Sequence, residues 1–120
     1  MQPARNFREL EVWQRAHKLV LKVYRVTVTF PTDERFGIIS QMRRAAASVA
    51  ANIAEGFKRQ SQSDKIRFYN YSESSLEEVK YFFILAQDLG YLTEMEEMMK
   101  DAEIVSRMLY RLIRRVKGRR

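Results

Sequence analysis

The chain has 120 residues, with 22 Lys and Arg, 15 Asp and Glu, one His and no Cys, for a formal net charge of +7. At 46% apolar it can build one globular core of that size. The lack of Cys excludes a disulfide scaffold, Cys-ligated zinc and thiol catalysis, while the positive balance points towards anionic partners such as nucleic acid or a membrane surface.

The opening stretch MQPARNFRELEVW has no apolar h-region, so no signal peptide is expected. The longest uncharged run, 45–54, is far shorter than the roughly 18 residues of a membrane span. A cytoplasmic protein with no membrane partner is the expectation. Four Gly and two Pro fall well below the average share of about 12%, which predicts helices rather than turn-rich strands. No linker or repeat divides the chain, so one domain over 1–120 is predicted.

The first predicted helix runs over about 9–29. Val12, Ala16, Leu19, Val23, Val26 and Phe30 form an apolar ridge, with Trp13, Val20 and Tyr24 beside it. Arg15, Lys18, Lys22 and Arg25 recur on the opposite side and are candidate nucleic-acid contacts. The apolar arc covers about half the circumference, wider than one seam requires, so part of it can face something outside the monomer.

Pro31 ends this segment, and Thr32 is the expected N-cap of a second helix over about 33–57. Its apolar face (Ile38, Ile39, Met42, Ala45, Ala46, Val49, Ala50 and Ile53) is light, and Ala47, Ala51 and Ala54 lie outside it. Gln41, Ser48, Asn52 and Glu55 line up between these faces, with Arg44 and Arg59 at i,i+4 from Ser48 and Glu55. Small residues all round permit close approach by two neighbours. A polar ridge between them would fix register, because a buried Asn needs partners. Gln41, Arg44, Ala47, Ser48, Ala51, Asn52, Glu55 and Arg59 are therefore the candidate subunit interface.

Ser63-Asp64 is the expected cap of a third helix over about 63–89, with Tyr69, Ser72, Leu76, Val79, Phe83 and Ala86 on one line. Gly90 suits the position just past its end. Thr93-x-x-Glu96 has the spacing of a capping box for a fourth helix over about 93–117. There Met95, Met98, Ala102, Val105, Leu109, Leu112 and Val116 form a core seam. Acids crowd its first half. From Arg107 onwards come Arg111, Arg114, Arg115 and Lys117, then Arg119 and Arg120 in a basic tail over 118–120, with no acid. This order suits the helix dipole, yet seven bases exceed what the dipole needs. All seven are candidate nucleic-acid contacts. Long helices with short connections predict an all-α, antiparallel up-down-up-down bundle.

Enzymatic chemistry has little support. His17 is the single His and sits at the edge of an apolar arc. Residue 14, three positions earlier, is Gln rather than the Glu of a Glu-x-x-His metal motif. No phosphate loop, nucleophile elbow or catalytic Cys is present. No catalytic residue, metal, cofactor or small-molecule substrate is expected.

Several stretches carry a resemblance. They are Phe7-x-x-Leu10-x-Val12-Trp13-x-x-Ala16, Phe30-Pro31-x-x-Glu34-x-x-Gly37, Gln41-x-Arg43-Arg44-Ala45-Ala46-x-Ser48 and Asn52-Ile53-Ala54-Glu55-Gly56. Ser75-Leu76-x-Glu78 and Ala86-x-x-Leu89-Gly90-Tyr91 follow. The set resembles the bacterial four-helix-bundle proteins encoded in intervening sequences of large-subunit rRNA genes. These are related to the accessory variability determinant of diversity-generating retroelements. The resemblance implies a ring-like homo-oligomer, typically a pentamer. Because retroelement relatives bind a reverse transcriptase and RNA, it also implies those partners. The combined expectation is a non-enzymatic, oligomeric basic bundle that binds RNA, or a DNA–RNA complex, through phosphates. The alternative is a protein-interaction ring with no nucleic-acid affinity of its own.

Overall fold

The structure, a computed structural model, describes residues 3–118. It contains four α-helices: α1 (Glu11–Thr27), α2 (Ser40–Lys58), α3 (Gln62–Asp88) and α4 (Met95–Lys117), with no strand among the described residues. A 3₁₀ turn, Phe7–Glu9, precedes α1, and the Asn6 side chain caps it by accepting from the Arg8 amide at 2.9 Å.

The predicted ridge of α1 is the buried one: Val12, Ala16, Leu19, Val23 and Val26 all lie in the core, followed by Phe30. The helix ends sooner than its spacing predicts, with the Thr27 hydroxyl donating to the Val23 carbonyl at 2.8 Å. The second helix also starts later than expected. A 3₁₀ turn (Thr32–Glu34) and a wide π-type turn (Arg35–Ile39) come first, and Thr32 makes no capping bond. The break coincides with Gly37, whose backbone (φ −104°, ψ −119°) leaves helical torsions. The Tyr91 hydroxyl, in the α3–α4 connection at the same end of the bundle, fastens this segment by donating to Glu34 Oε2 at 2.9 Å.

The cap of α3 is Ser61, not Ser63; its Oγ accepts from the Asp64 amide at 3.1 Å. The predicted α3 line is buried in full: Tyr69, Ser72, Leu76, Val79, Phe83 and Ala86. After α3, Gly90 adopts φ +81°, and the Tyr91 and Leu92 amides return to the Ala86 carbonyl, closing the helix end. No capping box forms at α4, which follows Glu94 without a side-chain cap.

Contacts along the helices establish antiparallel packing. Lys22 meets Asp101 while Arg25 meets Glu94, so α4 descends as α1 rises. Ser48 pairs with Ser75 and Gly56 packs on Tyr69, which sets the same relation for α2 and α3. Gln62 donates to the Val116 carbonyl and Lys80 lies near Glu103, doing so for α3 and α4. Each helix packs on its chain neighbour, and α1 on α4 completes the four-sided bundle. Among the described residues, no helix is long and apolar enough to cross a membrane.

Candidate nucleic-acid interface

Antiparallel packing sorts the charges. The start of α1, the end of α2, the start of α3 and the end of α4 share one end of a molecule 49 Å long. Dividing the helices at mid-length puts residues 3–20, 50–76 and 105–118 in that half. It holds 13 Lys and Arg against 5 carboxylates, while the other half holds 7 against 10. The positive charge is thus concentrated at one end. Spacing along the chain does not reveal this concentration, because it emerges only when four separated segments are stacked.

The two basic faces predicted from the sequence fare differently. On α1, Lys22 Nζ lies 2.5 Å from Glu97 and 3.4 Å from Asp101, and Arg25 lies 4.0 Å from Glu94. Burial disfavours the Lys22 charge, but its bonds to Glu97 and Asp101 outweigh that and raise its pKa. The Lys22 hydrogen bond holds Glu97 below the usual carboxylate range. Lys22 and Arg25 therefore neutralise the acidic first half of α4. Arg15 and Lys18, nearer the basic end, are exposed and have no carboxylate within 4.0 Å among the described residues.

On α4, Arg107, Arg111, Arg114, Arg115 and Lys117 are all exposed, and no described carboxylate lies within 4.0 Å of them. Arg119 and Arg120 lie outside the described residues. Arg107 and Arg111 line a groove of about 820 Å³ between α3 and α4, with Tyr110, Ser106 and Lys80 on its rim and Asn70, Glu73, Ser74 and Glu77 along α3. A second cavity of about 500 Å³ continues it past Arg114 and Lys117. The Arg114 guanidinium donates to the Tyr110 hydroxyl at 3.1 Å. Tyr110 was not singled out from the sequence; its signal was its place between arginines on an exposed face.

The candidate interface residues of α2 divide as well. Ser75 Oγ donates to Ser48 Oγ at 2.8 Å, and Asn52 Nδ2 donates to both the Ser48 carbonyl and its hydroxyl at 2.9 Å. These bonds lie within the chain, so Ser48 links α2 to α3. Glu55 pairs with Arg59 at 3.0 Å, and the Arg59 guanidinium covers the Phe68 ring. Gln41, Arg44 and Ala51 are exposed, whereas Ala47 is half-buried. The chain's own N-terminal turn approaches this alanine face, where Phe7 lines an apolar groove with Ala51, Ala54 and Phe57. Beside Gln41 and Arg44, Phe36 is 87% exposed.

His17 is exposed and stacks on Trp13, with ring centroids 4.9 Å apart and planes within 8°. No group of three or more His, Asp or Glu among the described residues could hold a metal ion.

The model of the family described as "23S rRNA-intervening sequence protein" matches residues 8–111. The chain belongs to this family. A solved structure shares this fold. A protein of unknown function from the S23 ribosomal protein family of Bacteroides thetaiotaomicron, solved at 1.70 Å, superimposes with a TM-score of 0.80. The match covers 86% of this chain and 95% of that one at 22% identity, so the likeness is one of fold. The comparison with curated proteins gives no match.

Several residues of the stretches that resemble this family have structural work in the intervening-sequence protein. Arg43 Nε donates to the buried Thr27 hydroxyl at 2.8 Å, and its terminal nitrogen reaches the Tyr24 carbonyl at 3.3 Å. A cation thus satisfies the carbonyl-rich end of α1. Glu34 and Tyr91 form the tie between the α1–α2 and α3–α4 connections. At the α2 C-terminus, Lys65 donates to the Gly56 and Phe57 carbonyls.

Proposed function

We propose that this member of the 23S rRNA-intervening sequence family is a non-enzymatic, self-associating bundle that holds RNA by its phosphates at the basic end. The observation that carries this reading is the exposed row Arg107, Arg111, Arg114, Arg115 and Lys117, free of carboxylates within 4.0 Å among the described residues. Surface cations held in ion pairs have part of their charge spent; these do not. Arg15 and Lys18 add to the same end. Lys22 and Arg25 contribute less, since α4 acids already face them.

An α-helix cannot enter the deep, narrow major groove of duplex RNA, so contacts would fall on phosphates and on unpaired strands. Self-association draws on Gln41 and Arg44, exposed beside Phe36, and on Ala51, exposed in the groove with Phe7. A pentameric ring and a reverse transcriptase partner follow from the family resemblance and belong to this proposal. Five copies at +7 each would give strong steering of a polyanion.

A protein-interaction ring is the second reading. The exposed Leu21, Val28 and Phe36 favour it, since such side chains suit a protein surface more than a phosphate chain. Purification followed by absorbance at 260 and 280 nm, before and after a high-salt wash, separates the two. Co-purifying RNA that leaves in salt supports the first; an assembled protein with no nucleic-acid affinity supports the second. Light scattering in the same run tests assembly, which a monomer at micromolar concentration would refute.

A further inference from the structure

We propose that the α3–α4 groove seats an unpaired RNA base and selects bases with an exocyclic amino group, cytosine over uracil. The inference rests on the phosphate-binding reading of α4 and adds a base to it. Two walls of opposite character define the groove. Arg107 and Arg111 stand on the α4 wall, and Glu73 and Glu77 on the α3 wall, around about 820 Å³. That volume suits a nucleotide-sized ligand.

Tyr110 lies among the arginines and is 56% exposed. It lines both cavities of the groove, and so do Asn70 and Glu73. Its hydroxyl is anchored by Arg114 at 3.1 Å, which holds the ring in place on the helix surface. A fixed, exposed ring beside a row of cations is the combination that single-stranded nucleic acids use: stacking for the base, guanidinium for the phosphate. Along the helix axis, Arg107 and Arg111 are about 6 Å apart and Arg111 and Arg114 about 4.5 Å, so one short strand can meet several of them.

The acidic wall decides which base. Glu77 is already paired with Lys80 at 2.9 Å, but Glu73 has no ion-pair or hydrogen-bond partner among the described residues. An ionised carboxylate only accepts hydrogen bonds. The amino group of cytosine donates to it, whereas the corresponding carbonyl of uracil is an acceptor and is repelled. The two pyrimidines stack similarly on Tyr110, so a difference between them reports the Glu73 wall.

The test is fluorescence anisotropy at pH 7.5 and fixed salt with labelled 12-residue oligo(C) and oligo(U), using the full chain. Wild type should bind oligo(C) about fivefold tighter than oligo(U). Tyr110→Leu should weaken both by about tenfold, and Glu73→Gln should remove the difference between them. Circular dichroism checks that both variants keep their helicity. Equal affinity for the two oligomers, or a Tyr110→Leu variant that binds as wild type does, overturns the groove assignment while leaving phosphate binding intact. Failure of both oligomers to bind overturns the proposed function itself, and this inference with it.

Discussion

The Tyr69 ring fills the space that any side chain at Gly56 would need. A methyl group on Gly56 would come within 2.6 Å of Tyr69 Cε1 and 2.8 Å of Cδ1. Tyr69 is itself only 2% exposed, so the ring cannot swing away without disturbing the core. This close approach brings the end of α2 onto the start of α3 and gives the Gly of the Asn52–Gly56 stretch a physical reason. Gly56→Ala should lower stability by about 1–3 kcal/mol through overpacking. An unhindered helical Gly→Ala change would raise it by about 1 kcal/mol. A urea melt therefore reads the sign directly, and a stabilised variant would mean that the two helices can part without cost.

The Arg43–Thr27 contact makes a second prediction. Thr27 is 1% exposed, and its hydroxyl donates to Val23 while accepting from Arg43. Arg43→Met should cost about 1.5–3 kcal/mol, the range for a hydrogen bond to a charged group. A double-mutant cycle with Thr27→Val should give a coupling near 1 kcal/mol. Strictly additive losses would mean that Arg43 supports the fold through its stem, the Tyr24 ring and the Tyr24 carbonyl rather than through Thr27.

Acid should loosen the α1–α4 contact. Glu97 is held below the ordinary glutamate value by its bond to Lys22. A carboxylate lowered in the folded state adds stability above its unfolded pKa of about 4.3 and loses it as pH falls through the lowered value. Wild type should thus lose its advantage over Glu97→Gln as pH drops from 5 towards 3. Urea melts across that range measure it; a pH-independent gap would contradict the pairing.

Asn52 tests self-association. Both of its described hydrogen bonds run to Ser48 within α2, so they do not require another subunit. In the proposed assembly this half-buried amide lies at the subunit face, and Asn52→Leu should change the mass seen by light scattering while leaving helicity unaltered. A normal oligomer with normal melting would remove Asn52 from the interface.

Much of the fold was legible in the sequence, because helical periodicity is a local property. Every residue of the ridges expected on α1 and α3 is buried, while Thr27 on α1 and Ile113 on α4 are added buried members. Helix starts were less legible. Thr32, Ser63 and Thr93 are all sound capping residues by type, yet the chain starts its helices at Ser40, Gln62 and Met95. In the first case the π-type turn at Gly37 intervenes; in the second Ser61, two residues earlier, captures the Asp64 amide. The candidate site was legible only as a list of charges. Which cations remain free depends on register between helices about 75 residues apart, as with Lys22 and Glu97, and spacing along one helix carries no such information.

The salt dependence of RNA binding tests the central claim most directly. Each single-strand phosphate neutralised contributes about −0.7 to the slope of log affinity against log salt. Replacing Arg107, Arg111 and Arg114 together by Gln should therefore flatten the wild-type slope by about 2 units, with helicity and melting unchanged. A folded triple variant that keeps the wild-type slope would show that α4 does not hold the phosphates.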